Sequence, residues 1–215
     1  MKRSLNFYRK NLKKIPYFDF IDELESALNG CESVLDLACG VSSPLRHVPK
    51  KFHATGCDLF LPAIEKSRDE GIHDQYFQMN VLDLDKKFRP RSFDGVMALD
   101  LIEHLDKEEG WRLIAMMEKI AKKRVILLTP NGFLRQEEFG GNVWQVHKSG
   151  WSVGEMREKG FKVIGLLGWK SLRGDKGSLK FFPKTFFSII SSLTQIVVKR
   201  RPEWAFQILC VKDLV

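Results

Sequence analysis

The sequence predicts an α/β chain, a mostly parallel sheet with helices on both faces. Three observations carry that expectation. Short apolar runs alternate with amphipathic helical segments along the chain. The run Ser33–Ala38 reads as a strand that passes through an acid, Asp36, and opens on a small-residue turn, Cys39–Gly40–Val41–Ser42–Ser43. A second acid, Asp58, closes the next strand at Gly56–Cys57–Asp58, the spacing of a ribose-binding carboxylate in a doubly wound sheet.

The elements follow in order. Phe18–Leu28 places Phe18, Ile21, Leu24, Ala27 and Leu28 on one helical face and ends at Asn29–Gly30. After the first two strands, a helix is expected over Leu61–Glu70, stopped by Gly71. Tyr76–Asn80 is a short third strand, and Phe93–Leu99 is a fourth whose apolar character suits the middle of a sheet. Lys107–Lys122 carries Trp111, Ile114, Ala115, Glu118 and Ala121 at helical spacing. Arg124–Thr129 is a fifth strand, stopped by Pro130–Asn131–Gly132. A loop runs on through Val146, and Ser149 is placed to cap a helix over Gly150–Lys159. Phe161–Leu167 and Glu203–Val211 supply the sixth and seventh strands. Between them, Pro183–Val198 sets Phe186, Ile189, Ile190, Leu193 and Val197 on one helical face, with Lys184, Ser188, Ser191, Ser192 and Gln195 largely opposite.

A chain of 215 residues suits one α/β domain with a sizeable core. The domain is expected to span 1–215, with an N-terminal helical segment over 1–30 and a basic, amphipathic insertion over 168–202. The formal net charge is +8, and the excess gathers at Lys2–Lys14, Lys170–Lys184 and Lys199–Arg201. Such patches suit nucleic acid, anionic lipid or anionic glycans, or are simply solvated. No aromatic-glycine RNA-binding signature accompanies them. Cys31, Cys39, Cys57 and Cys210 are scattered, which reads as reduced and non-ligating, with Cys39 a small packing residue. The basic start lacks an apolar signal-peptide core, and no stretch is long enough to span a bilayer. The expected location is the cytoplasm, with peripheral membrane contact as an alternative.

The glycine pattern matters as much for what it lacks. No Gly-x-Gly-x-x-Gly follows the first strand, because Ala38 and Ser42 stand where glycines would be sought. Ser92–Phe93–Asp94 opens the fourth strand, and Asp100–Leu101–Ile102–Glu103–His104–Leu105 follows it. In these runs the chain resembles the class I S-adenosylmethionine-dependent methyltransferases. The resemblance covers roughly Cys31–Leu167 and implies a Rossmann-like, doubly wound, seven-stranded sheet with an antiparallel last strand. It also implies S-adenosylmethionine as cofactor. Asp36, Ala38 and Gly40 would hold the methionine part, Asp58 the ribose hydroxyls, and Asn80 and Val81 the adenine, with Leu59 and Asp100 completing the set.

If the turn after the fourth strand is helical, Asp100, Glu103 and His104 share a face at i, i+3 and i+4. Two carboxylates and an imidazole can serve as an acid/base group or hold a divalent cation. Small-RNA 2′-O-methyltransferases and certain quinone-precursor O-methyltransferases look similar here. Their acid-x-x-Glu-His run holds a metal, and in the small-RNA enzymes a further histidine follows the fifth strand. His147 is the candidate for that position. The expected catalytic residues are Glu103, His104 and His147 without a metal. The alternative is a divalent cation on Asp100, Glu103, His104 and His147.

Trp144, Gln145 and His147 are expected in a substrate pocket, and Trp151 against the helix that follows it. His47, His53 and His73 read as isolated surface or loop residues, and Tyr8 and Arg9 as a flap over the cofactor. The expected reaction is O-methylation of a small-molecule, glycan or lipid-linked acceptor. A nucleic-acid acceptor with a divalent metal, of the RNA 2′-O type, is the alternative, and a non-catalytic cofactor-binding protein is a third reading. The 183–198 helix is expected to wall the acceptor pocket, with a dimer seam or a membrane surface as its other possible roles.

Overall fold

The structure, a computed structural model, describes residues 16–138, 143–174 and 177–214. Its strands are β1 (Ser33–Leu37), β2 (His53–Asp58), β3 (Gln75–Gln78), β4 (Phe93–Leu99), β5 (Ala121–Pro130), β6 (Lys162–Trp169) and β7 (Ala205–Asp213). They form one sheet of order β3-β2-β1-β4-β5-β7-β6. The first five strands pair in parallel, while β7 runs antiparallel between β5 and β6. The helices are α1 (Pro16–Ala27), α2 (Leu61–Asp69), α3 (Leu84–Lys87), α4 (Lys107–Ile120), α5 (Val153–Glu158) and α6 (Lys184–Val198).

Alternation along the central strands divides the core. Val96 and Ala98 of β4, with Val125 and Leu127 of β5, pack with Leu113, Met117 and Ile120 of α4. Met97, Ile126 and Leu128 point to the other face, against Ile21 and Leu24 of α1. Central strands covered on both faces need apolar residues at consecutive positions, which is why β5 reads as an unbroken apolar run.

Several boundaries differ from expectation. Helix α4 ends at Ile120 because β5 begins at Ala121. Strand β3 stops at Gln78, since Asn80 turns its side chain back to accept from the Leu82 N–H at 2.9 Å and caps a 3-10 turn. Ser149 is not the cap of α5. Ser152 and Glu155 form a reciprocal capping box there, while the Ser149 hydroxyl donates to the Ile102 carbonyl at 3.1 Å. Trp151 packs back onto α4, edge-on to Trp111 with ring centroids 4.8 Å apart, and shares its core cluster with Val153 and Met156 of α5. Residues 202–204 form a 3-10 turn, so β7 starts at Ala205.

The largest surprise is α6. An amphipathic helix normally buries its apolar face, but α6 buries Ser191, Gln195 and Val198 and exposes Phe186, Ile189, Leu193 and Ile196. The cause is the strand beneath it. β6 is a sheet edge with unpaired backbone groups. Gln195 accepts from the Gly168 N–H at 2.9 Å and donates to the Gly165 carbonyl at 3.0 Å. Thr194 Oγ1 accepts from the Trp169 N–H at 3.0 Å. Polar side chains of the helix therefore finish the edge, which no eighth strand completes among the described residues. Gly165 and Gly168 permit the approach, because a methyl group at either would overlap the α6 backbone at Val198 or Ser191. No α6 residue lines the cavities described below, so the helix is not their wall.

Candidate active site

Sheet order reverses between β1 and β4, and ligand sites in such sheets lie beyond the carboxyl ends of the strands at that point. Both strands end in backbone turned into the left-handed region, with φ 51° at Ala38 and at Asp100. At Ala38 that is the conformation a glycine takes most easily, and alanine holds it at some cost in strain. The turn is tied down by Asp58 at the end of β2. One carboxylate oxygen accepts from the Gly40 N–H and the other from the Phe60 N–H, each at 2.9 Å.

Two cavities meet here. One, of about 560 Å³, is lined by Gly40, Asp58, Leu59, Asn80, Val81, Leu101 and Trp144 among others. Its floor is apolar and its rim carries an acid and an amide, as a nucleoside requires. The adjoining one, of about 830 Å³, is lined by Asp36, Glu103, His147, Gln136, Glu137, Glu138 and Gln207 among others. Ala38, Gly40, Asp100, His104 and Gln145 line both.

Asp36 is buried at the back of the polar cavity. Its Oδ2 accepts from the Ser43 hydroxyl at 2.6 Å and lies 2.9 Å from His73 Nε2. His73 is therefore no surface residue. Its side chain is wholly buried, with Nδ1 3.4 Å from the Ser67 hydroxyl and its ring edge-on to Tyr76. Nε2 donates to the carboxylate, and Nδ1 faces hydroxyls. Among the described residues both bonds to Asp36 fall on Oδ2, which leaves Oδ1 to the cavity that Asp36 lines.

Glu103, His104 and His147 converge. One ligand atom from each lies within 4.8 Å of the others, and the two imidazole centroids are 4.6 Å apart. His104 Nδ1 lies 3.2 Å from the Val146 carbonyl, and His147 Nδ1 lies 2.6 Å from that of Leu134. A carbonyl only accepts, so each Nδ1 carries the proton and each Nε2 keeps its lone pair. Glu103 is buried and accepts from the Thr129 hydroxyl at 3.0 Å.

Asp100 stays outside this trio. The left-handed turn precedes the 3-10 turn Ile102–His104, so Asp100 does not share its face, and its carboxylate instead accepts from Gln207 at 2.8 Å. Burial, then the nearby Asp100, pushes Glu103 well above the usual carboxylate range. Asp100 opens on both cavities, yet the protein crowded around its carboxyl raises it to about 7. Burial, with the neighbouring His147, lowers His104 to about 4, and burial lowers His147 as well.

Of the residues expected from sequence, Asp58, Leu59, Asn80 and Val81 line the nucleoside-sized cavity, and Asp36, Glu103 and His147 the polar one. Trp144 and Gln145 also reach the site. Ser43, His73, Thr129 and Gln207 went unforeseen. Ser43 closes the small-residue turn, but its bond to Asp36, like those of the other three, joins residues 7 to 107 positions apart that no pattern pairs. Tyr8, Arg9, Lys2–Lys14 and Lys176 lie outside the described residues.

The cavity fits S-adenosylmethionine by its donor set: an acid already held by backbone N–H groups at the ribose position, apolar walls for a purine, and a buried carboxylate beyond. Residues 35–129 match the "Methyltransferase domain" family. The mouse "Probable tRNA methyltransferase 9B" is 30% identical over 102 residues, 47% of this chain; the chain spans about a fifth (20%) of that protein. Solved structures share the fold. The methyltransferase domain of bacterial CtHen1-C superposes with TM-score 0.58 at 18% identity, over 95% of this chain and 99% of that one. A SAM-dependent methyltransferase from Archaeoglobus fulgidus gives 0.57 at 17%, over 90% and 94%. The match of residues 35–129 to the methyltransferase-domain family, the strand order with its antiparallel last strand and the paired cavities agree with a class I S-adenosylmethionine-dependent methyltransferase fold.

Proposed function

We propose that the chain methylates an oxygen acceptor, and that Glu103, His104 and His147 hold a divalent cation beside the transferred methyl. The observation that carries this is the convergence of one oxygen and two nitrogen ligand atoms within 4.8 Å at the edge of the cofactor cavity. S-adenosylmethionine, when bound, supplies a methyl group on a cationic sulfur, already activated for displacement. What remains for the protein is to bring the acceptor oxygen into line and to manage its proton. Asp58 would accept the ribose hydroxyls, Val81 would offer its N–H to the purine, and Asp36 would face the ammonium with Oδ1.

Two roles are open to the imidazoles, and their chemistry separates them. With its pKa near 4, His104 is neutral at neutral pH and takes a proton poorly, which makes it a weak general base. A neutral imidazole with Nδ1 fixed on a carbonyl is, however, the ligating form, oriented as metal-bound histidines are. The donor set suits magnesium, manganese or zinc, and a cation there would supply a Lewis acid at the acceptor hydroxyl. Acid or amide side chains at Gln136, Glu137, Glu138 and Gln145 give the cavity a hydrogen-bonding lining suited to a hydroxyl-rich acceptor such as a glycan, free or lipid-linked.

Manganese binding, read by calorimetry and electron paramagnetic resonance, tests the reading. Wild type binds one ion, and His104→Ala and His147→Ala lose it while keeping their affinity for S-adenosylhomocysteine. A wild type that binds no manganese, with methyl transfer unaffected by chelator, removes the cation and leaves the weak base alone. A nucleic-acid acceptor is the second reading. It is supported by the net charge of +8 and by the likeness to a protein named as a tRNA methyltransferase. Methyl transfer from labelled cofactor to RNA but not to hydroxyl-bearing glycans would favour it.

A further inference from the structure

We propose that the exposed face of α6 docks the protein on an anionic lipid surface. The face is built from Phe186, Ile189, Leu193 and Ile196, between 56% and 69% exposed, and Phe182 extends it at 77%. These positions follow i, i+3, i+7 and i+10, one continuous stripe. Chance exposure of single apolar residues is ordinary, but a contiguous stripe marks a binding surface. The stripe cannot roll inward. The opposite face is held to β6 by Gln195 and Thr194, through bonds to Gly165, Gly168 and Trp169.

Charge selects the occupant. Residues 177–202 contain five Lys or Arg (Lys180, Lys184, Lys199, Arg200, Arg201) and no Asp or Glu. The cations therefore bracket the stripe at both ends of the helix. Lys199 pairs with Glu23, and Lys180, Lys184, Arg200 and Arg201 are exposed. An apolar stripe between basic ends, on a helix of 15 residues, is the pattern of a helix lying in the headgroup layer. It is too short to cross a bilayer, and no described helix is long and apolar enough to do so. A second copy of this chain fits less well, because a two-fold pairing of α6 would set basic ends against basic ends. RNA would find charge and two phenylalanine rings there, but Ile189, Leu193 and Ile196, the larger part of the stripe, offer no base a stacking surface.

Direction adds a consequence. Helix α6 runs antiparallel to β6, since Gly168 meets Ser191 while Gly165 meets Val198. The seven residues before Ser191 thus extend about 10 Å past the carboxyl end of β6. Leu167, at that end, lines the polar cavity. Docking through Phe182 and Phe186 would bring the cavity mouth toward the lipid.

Flotation of the full chain with vesicles tests this, and its outcome does not depend on methyl transfer. Phosphatidylcholine vesicles are compared with phosphatidylcholine–phosphatidylglycerol vesicles. Wild type floats with the anionic vesicles, less so in added salt. Phe186→Ser with Leu193→Ser weakens binding by about tenfold or more. Arg200→Gln with Arg201→Gln weakens it about fivefold per charge. All variants keep wild-type S-adenosylhomocysteine binding, since none of these side chains lines either site cavity. The proposal is overturned if wild type stays with neither vesicle, if the serine variant binds as wild type does, or if wild type is a dimer in solution that the serine variant converts to monomer.

Discussion

Asp58 offers the sharpest test of how the cofactor sits. Its two oxygens already hold the Gly40 and Phe60 N–H groups, one each. A carboxylate has about four acceptor sites, so two remain, one for each ribose hydroxyl. Asp58→Ala removes both of those bonds. Charge-assisted hydrogen bonds contribute about 1.5–3 kcal/mol each, so the pair is worth about 3–6 kcal/mol. Asp58 is partly exposed, which puts the expected loss at the lower end, roughly a hundredfold in Kd. Two backbone N–H groups also lose their acceptor, so about 1–2 kcal/mol of stability should go with it. The affinity must therefore be measured well below the variant's melting temperature. Calorimetry with S-adenosylhomocysteine and its 2′-deoxy analogue closes a cycle: removing the hydroxyl weakens binding to wild type and leaves Asp58→Ala indifferent. Equal affinity in both proteins, or a deoxy penalty that survives in the variant, refutes the ribose assignment.

Other consequences follow from the same geometry. His73→Ala strips a wholly buried partner from Asp36 and should cost about 2–4 kcal/mol in urea unfolding, partly recovered in His73→Gln; an unchanged midpoint would show that Ser43 alone suffices. Gly165→Ala drives a methyl group into the Val198 carbonyl and should destabilise by about 1–3 kcal/mol, read as a lower melting temperature. Manganese affinity should rise with pH as Glu103 ionises, above the usual carboxylate range. Burial keeps that carboxyl protonated at lower pH, and a cation needs it charged, so affinity is lost as pH falls. A profile that does not change with pH above the ordinary carboxylate range would place the cation away from Glu103.

Much of this was legible in the sequence because it is local. Asp36 and Gly40 sit in one turn and Asp58 one strand later, and the βαβ rhythm fixes how such pieces come together. Glu103 and His104 are neighbours, so their shared destination follows from the single turn that holds them. His147 needed the resemblance, since its loop has no regular structure to place it. The antiparallel seventh strand came from the resemblance too, because periodicity carries no direction. Local logic also misled. Ser149 has the residue type of a cap, but Ser152 has Glu155 three positions on, and the reciprocal box outweighs a lone hydroxyl. Asp100 was placed on a helical face by counting, and a single left-handed residue removed it.

His73 and α6 escaped for a deeper reason, which is the same in both. Sequence patterns weigh a residue by the face it belongs to, and these are decided by backbone and charge groups far away. His73 is drawn inside by a carboxylate 37 positions earlier, and the pocket it fills exists because position 56 has no side chain: a methyl group at Gly56 would stand 3.0 Å from both His73 and Cys39. For α6, burying the apolar stripe would have gained roughly 1.5–3 kcal/mol per large side chain. It would also have left the Gly165 carbonyl and the Gly168 and Trp169 N–H groups of β6 without partners under a greasy cover, at about 1–3 kcal/mol each. The terms are comparable for a helix alone. They tip toward the polar face inward once the apolar face has somewhere else to go, so the inverted helix is itself an argument that something apolar lies outside it.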